Sequence, residues 1–115
     1  MLVHIGPDVL VAYERSGGFA GIRQKVIVDG SGTALVDDAK VAVGAEEMRG
    51  LKDALSRVVT TASSPEGCEV ADHFTYTLAY RGHRATRCWL PSDWRDAVER
   101  LEALAGRRPQ AEARV

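Results

Sequence analysis

The stretch "VLVAYERSGGFAGIRQKVIVD" (residues 9–29) reads as two strands and the connection between them. "VLVAYER" (Val9 to Arg15) and "IRQKVIVD" (Ile22 to Asp29) both alternate in character with a period of two. Between them "SGGFAG" (Ser16 to Gly21) holds three glycines and a single bulky side chain, Phe19. A hairpin closed around that segment sets Arg15 opposite Ile22, Tyr13 opposite Gln24, Val11 opposite Val26 and Val9 opposite Val28. On the other face Glu14 then meets Arg23 and Leu10 meets Ile27. One face is mostly apolar and the other carries an opposite-charge pair, as cross-strand pairing favours.

Outward from this hairpin, "DGSG" (Asp29 to Gly32) signals a turn, and "TALV" and "KVAV" flank "DDA" as a second, shorter hairpin. "AEEMRGLKDALSRVV" (Ala45 to Val59) switches to a helical period, with Met48, Leu51, Leu55 and Val58 on one face. Glu46 and Glu47 sit in its first turn, where the helix dipole favours them. "TTASSPEGCEVAD" (Thr60 to Asp72) is a polar loop. "HFTYTLAY" follows as a strand with Phe74, Tyr76, Leu78 and Tyr80 on one face, and "HRATRCWL" returns beside it after a turn at "RG". Ser92 reads as an N-cap before "DWRDAVERLEALA", whose apolar face is Trp94, Val98, Leu101 and Ala105, with Gly106 as C-cap.

This order predicts an α+β fold: an antiparallel sheet of four to six strands in hairpins with two helices packed on it. Residues 1–106 form a single domain, and 107–115 a polar, frayed tail. Antiparallel connections throughout bring the Thr60–Asp72 loop to the same end of the sheet as "SGGFAG". Two loops far apart in sequence, one apolar at its tip and one acidic, thereby become neighbours.

The 115 residues suffice for one domain with a modest core. With Lys+Arg at 15 and Asp+Glu at 16, no global basic field draws nucleic acid or an anionic membrane to the chain. No apolar run approaches the roughly 18 residues of a membrane helix. The first residues lack the basic and apolar regions of a secretory leader, so the expectation is a cytoplasmic protein. Cys68 and Cys88 are too few for a disulfide scaffold, and in a reducing compartment they are expected as free thiols. Oligomeric state is left open.

Candidate chemistry is sparse. Cys68, Asp72 and His73 fall within six residues, whereas a nucleophile and its base usually meet across a fold, and no oxyanion-hole motif accompanies them. Cys68, His73, His83 and Cys88 lack the paired spacing of a zinc site, so no intrinsic metal or cofactor is expected. "SGGFAG" leads from strand to strand and lacks the helix N-terminus that phosphate binding uses. Arg81, Arg84 and Arg87 near Tyr76 and Tyr80 offer an alternative, a small protein- or RNA-binding adaptor. Phe19 is either a satellite of the core or an aromatic anchor for a partner's pocket. The balance favours a binding module over an enzyme.

"YERSGGFAGIRQKVIVD" resembles the opening of the emfourin family, small bacterial protein inhibitors of thermolysin-like (protealysin-type) zinc metalloproteases. "GCEVADHFTYTL" (Gly67 to Leu78) is similar to that family's later stretch of Ala-Asp, one variable residue, then Phe-x-Tyr-x-Leu. Together the two segments cover about a quarter of the chain. The resemblance implies a non-enzymatic inhibitor whose two loops plug a protease active site, an aspartate of one loop reaching the catalytic zinc. A catalytic zinc keeps one position open for water, and a carboxylate oxygen at about 2.0–2.2 Å can fill it. By this resemblance Phe19 is the pocket-filling group, presented by Ser16, Gly17, Gly18, Ala20 and Gly21. Asp72 is the first candidate for the zinc ligand, with Glu66, Glu69, Asp37 and Asp38 as alternatives.

Overall fold

The computed structural model describes residues 9–18, 21–60 and 62–107. The described chain runs β1 (Val9–Gly17), β2 (Ile22–Asp29), β3 (Thr33–Val36), β4 (Ala39–Ala42), α1 (Ala45–Leu55), β5 (Phe74–Tyr80), β6 (His83–Arg87) and α2 (Ser92–Ala105). The six strands form one antiparallel sheet in the order β4-β3-β2-β1-β5-β6. This is the α+β fold expected from the sequence. The predicted tail lies at 108–115 outside the described residues, apart from its first residue, Arg107.

The first hairpin forms, with a register two residues from the predicted one. Tyr13 faces Val26, Arg15 faces Gln24 and Gly17 faces Ile22. A two-residue shift keeps every side chain on its predicted face, so the alternation could not reveal it. The cause lies at the tip. β1 runs through Ser16 and Gly17, whose backbone groups pair with β2 on one side and β5 on the other, so the connection shrinks to residues 18–21. Glu14 now faces Lys25, yet its carboxylate still reaches Arg23 diagonally at 3.1 Å.

The second hairpin turns through Asp37 and Asp38, both at positive φ (50° and 76°). Two successive left-handed residues are what a two-residue turn needs to match the twist of its strands. α1 begins where Glu47 Oε1 accepts the Gly44 amide at 2.8 Å and stops at Leu55, short of the predicted Val59. The Ser56 hydroxyl donates to the Asp53 carbonyl at 2.6 Å, and Val58, Val59 and Thr60 bring β-branched side chains poorly suited to continuing a helix. β6 ends at Arg87, before the predicted Leu90, because Cys88 leaves the ladder for a loop contact described below. At α2 the N-cap is Pro91, and Ser92 is the first helical residue without a capping bond. The helix start is tied instead through Asp93, whose carboxylate accepts the Val59 amide at 3.0 Å, and through the Trp94 indole, which donates to the Val59 carbonyl at 2.9 Å.

Both helices cover one face of the sheet. Val11, Tyr13, Val26, Val28, Val36 and Leu78 pack with Leu51, Leu55, Trp94 and Leu101, all essentially inaccessible to water. Burying each such side chain contributes about 1.5–3 kcal/mol. Tyr13 is buried in this core, and its hydroxyl donates to the Glu102 carboxylate on α2. Burial first, and that carboxylate second, push the Tyr13 phenol well above its ordinary ionisation range. The opposite face of the sheet is left open around Ala12, Ile27 and Ala79, which line a shallow groove of about 200 Å³ with Lys25 and Arg84.

Candidate functional site

β5 pairs with β1 so that Phe74 lies opposite Gly17, and the Gly18 amide donates to the His73 carbonyl at 2.9 Å. The end of the Thr60–Asp72 loop therefore abuts the start of the glycine connection. The two glycines make this approach possible. A Cβ at Gly17 would stand 2.6 Å from the His73 carbonyl oxygen, and one at Gly18 would stand 2.7 Å from the Phe74 ring. Both also hold positive φ, where glycine carries no steric penalty. Phe74, half-buried, is held in turn by the Arg15 guanidinium 4.8 Å above its ring. Phe19 and Ala20, the predicted centre of the apolar tip, lie outside the described residues.

Asp72 is exposed, one residue before that junction, with φ at 66°. Among the described residues its carboxylate makes no hydrogen bond or ion pair. The left-handed conformation is one that Asp tolerates better than most residues. Glu66 and Glu69 are exposed in the same loop, further from the glycines along the chain. Asp37 and Asp38 occupy the same end of the sheet but belong to the β3–β4 turn, three strand spacings or about 14 Å from β5. Asp37 is committed there, its Oδ1 accepting the Lys25 amide at 2.9 Å. Geometry thus sets Asp72 beside the glycine connection and sets the Asp37–Asp38 turn on the other side of it, away from β5.

The loop itself is a chain of tight turns. Cys68, Val70 and His73 donate backbone N–H groups to the carbonyls of Pro65, Gly67 and Val70 at 3.0, 3.2 and 3.3 Å. Its first part lies along β6: the Ser64 amide donates to the Thr86 carbonyl at 3.2 Å, and the Thr86 amide to the Ser63 hydroxyl at 2.9 Å. This path brings Cys68 and Cys88 together as a disulfide with Cα atoms 5.0 Å apart, correcting the expectation of two free thiols. Cysteine count and compartment could not show it, because the pairing depends on how the loop folds back on β6. His73 joins the pair: donor atoms of Cys68, His73 and Cys88 lie within 4.8 Å of one another. His83 sits at the opposite end of β6, paired with Tyr80.

Sequence reading missed a further feature. The large apolar residues most exposed among the described residues are Ile22 (41%), Val59 (52%), Val70 (56%) and Trp89 (59%). Ile22, Val70 and Trp89 lie at the end of the sheet that carries the glycine connection and the acidic loop, whereas Val59 precedes Thr60, whose hydroxyl donates to the Tyr80 carbonyl at the far end of β5. Ile22 opens β2 opposite Gly17, and Val70 precedes Asp72 by two residues. Trp89 follows the disulfide, and Val59 is bonded to the start of α2. In the sequence they are scattered over 68 positions and belong to no periodic pattern. Exposed apolar side chains collected at one end mark an interaction surface more often than a solvated one.

The arginines do not converge. Arg81 lies over the Tyr80 ring at 5.2 Å, Arg87 lies on the helix side over Trp94 at 5.6 Å, and Arg84 lines the open-face groove. A second concavity, of about 350 Å³, is bordered by Ser64, Glu66, Arg87, Trp89 and Arg95 at the start of α2. No helix among the described residues is long and apolar enough to cross a membrane.

Nothing matches. No family model, curated protein or solved structure matches this chain.

Proposed function

We propose that this chain is a protein inhibitor of thermolysin-like zinc metalloproteases, as its resemblance to the emfourin family implies, and that it acts without chemistry of its own. The observation that carries the reading is the Gly18–His73 junction, which sets an exposed Asp72, without a hydrogen bond or ion pair among the described residues, beside the glycine connection that holds Phe19. A carboxylate free of internal partners loses none of them on reaching a metal, and its oxygen suits the open position of a catalytic zinc. Ile22, opposite Gly17, and Val70, two residues before Asp72, add exposed apolar surface of the kind that fills substrate subsites.

The three arginines occupy separate surfaces, which favours this reading over an RNA-binding adaptor. Cytoplasmic residence belongs to the same reading as an expectation. Alkylation of thiols in freshly lysed cells tests it, since a closed Cys68–Cys88 bridge belongs to an oxidising compartment.

The deciding experiment titrates a thermolysin-like protease with the purified chain. Stoichiometric inhibition is expected, and Asp72→Ala and Phe19→Ala should each weaken it by about 2 kcal/mol, roughly 30-fold. Inhibition unchanged in both variants would keep the function and remove the site. A folded, uncleaved chain that inhibits no such protease would overturn the reading.

A further inference from the structure

We propose that Cys68, Cys88 and His73 form a thiol-dependent site for a borderline-soft divalent cation such as Zn²⁺, assembled when the Cys68–Cys88 bridge is reduced. The proposal stands apart from the inhibitor reading. Its basis is a donor set of two sulfurs and one imidazole already gathered within 4.8 Å. Tetrahedral zinc with Zn–S near 2.3 Å and Zn–N near 2.0–2.1 Å separates its donors by about 3.4–3.8 Å, within that span.

The bridge does not act alone in holding the donors together. Ser63 and Ser64 bond to Thr86 on the strand that leads into Cys88, and Cys68 closes a turn on Pro65 at 3.0 Å. His73 is fixed by its amide bond to the Val70 carbonyl at 3.3 Å and by the Gly18 amide on its own carbonyl at 2.9 Å. None of these contacts runs through a sulfur, so parting the sulfurs breaks none of them directly.

Outer contacts of the kind metal ligands use are also present. His73 Nδ1 lies 2.9 Å from the Val70 carbonyl; the tautomer that donates there leaves the lone pair on Nε2, the usual arrangement of a metal-binding imidazole. The Thr75 hydroxyl lies 3.9 Å from Cys88 Sγ, placed to donate to a thiolate. Cys68 is exposed, which gives both a reductant and a metal access. Glu66 and Glu69 add negative charge to the same loop and favour a cation.

The chemistry balances. A cellular dithiol passes two electrons and two protons to the bridge, giving two thiols, and becomes a disulfide itself. Binding of the divalent cation then releases both thiol protons to solvent, and solvent completes the coordination. Disulfide and metal are mutually exclusive, so the site exists in a reducing compartment and vanishes in an oxidising one.

The test uses the full chain, reduced with a phosphine, desalted without oxygen and titrated with Co²⁺, then competed with Zn²⁺. Expected are one equivalent bound, a thiolate-to-cobalt charge-transfer band, no band from the oxidised chain, and loss of the band in Cys88→Ser. His73→Gln, with its fold checked by circular dichroism, should bind at least about 10-fold more weakly. X-ray absorption of the zinc-loaded native chain reads the donors directly and is independent of any variant. Two sulfurs and an imidazole support the proposal. Absence of the charge-transfer band, native affinity in His73→Gln, or a spectrum without imidazole would each overturn it.

Discussion

The Gly18 amide and the His73 carbonyl, 2.9 Å apart, join two loops that the sequence separates by more than fifty residues. The bond exists because positions 17 and 18 carry no Cβ. Gly17→Ala would press a methyl group against a backbone oxygen that cannot swing aside, at a φ of 105°. We expect it to destabilise the fold by at least about 2 kcal/mol, against about 1 kcal/mol for Gly21→Ala, where the added group meets nothing within 4 Å. Urea denaturation of the two variants checks the order, and equal losses would contradict it.

Ile22 opens β2 opposite Gly17, Val70 precedes Asp72 by two residues, and neither belongs to the core. Ile22→Asp and Val70→Asp should leave the denaturation midpoint nearly unchanged, within about 0.5 kcal/mol. Each should nonetheless weaken protease inhibition about 10-fold or more. Inhibition constants measured beside melting curves separate the two effects, and unimpaired inhibition would remove these residues from the contact surface.

Tyr13 donates to the Glu102 carboxylate beneath α2, and Arg15 Nε lies 3.5 Å from the same carboxylate. Tyr13→Phe deletes a hydrogen bond to a charged group and should cost about 1.5–3 kcal/mol. The phenol's folded pKa is raised by burial above its ordinary 10.0, so the folded state holds a proton that the unfolded chain gives up. This contribution to stability is therefore complete below pH 10.0 and declines as pH rises beyond it. Denaturation followed across that range should show a steeper alkaline loss for the native chain than for Tyr13→Phe.

Asp29 organises the β2–β3 turn. Its Oδ1 accepts the Ser31 hydroxyl at 2.7 Å, the Ser31 amide at 2.9 Å and the Thr33 amide at 3.1 Å. The Ser31 hydroxyl, chief among these, holds the carboxyl below its ordinary value of 3.8. A depressed folded pKa contributes stability that is present above 3.8 and is lost as pH falls through the lower folded value. Asp29→Asn should accordingly be less stable than the native chain at pH 7, with the gap narrowing toward pH 2. A gap independent of pH would assign the cost to turn shape alone.

The Cys68–Cys88 bridge spans 20 residues of sequence, and closing such a loop stabilises a fold by about 3 kcal/mol in the chain-entropy model. The Cys68→Ser/Cys88→Ser double variant should lose that amount in denaturant and still fold, because neither cysteine belongs to the buried core and the Ser63–Thr86 contact is retained. A double variant that fails to fold would show that the loop depends on its bridge.

What the sequence determined by itself was the periodic part of the molecule. Alternation marks β1, β2 and β5, a helical repeat marks α1 and α2, and "DDA" marks a tight turn, because each of these signals depends on neighbours a few residues away. Chain direction alone then brings the acidic loop to the glycine end. Tertiary structure decided whatever depends on partners distant in the chain. The hairpin register moved by two residues because β5, more than fifty positions later, pairs with Ser16 and Gly17 and extends β1. Cys68 meets Cys88 and His73 because the loop folds back along β6, and Ile22, Val70 and Trp89 share one end because β2, the acidic loop and β6 start or stop there. No local period encodes such meetings; they follow from closing a sheet and packing two helices on it.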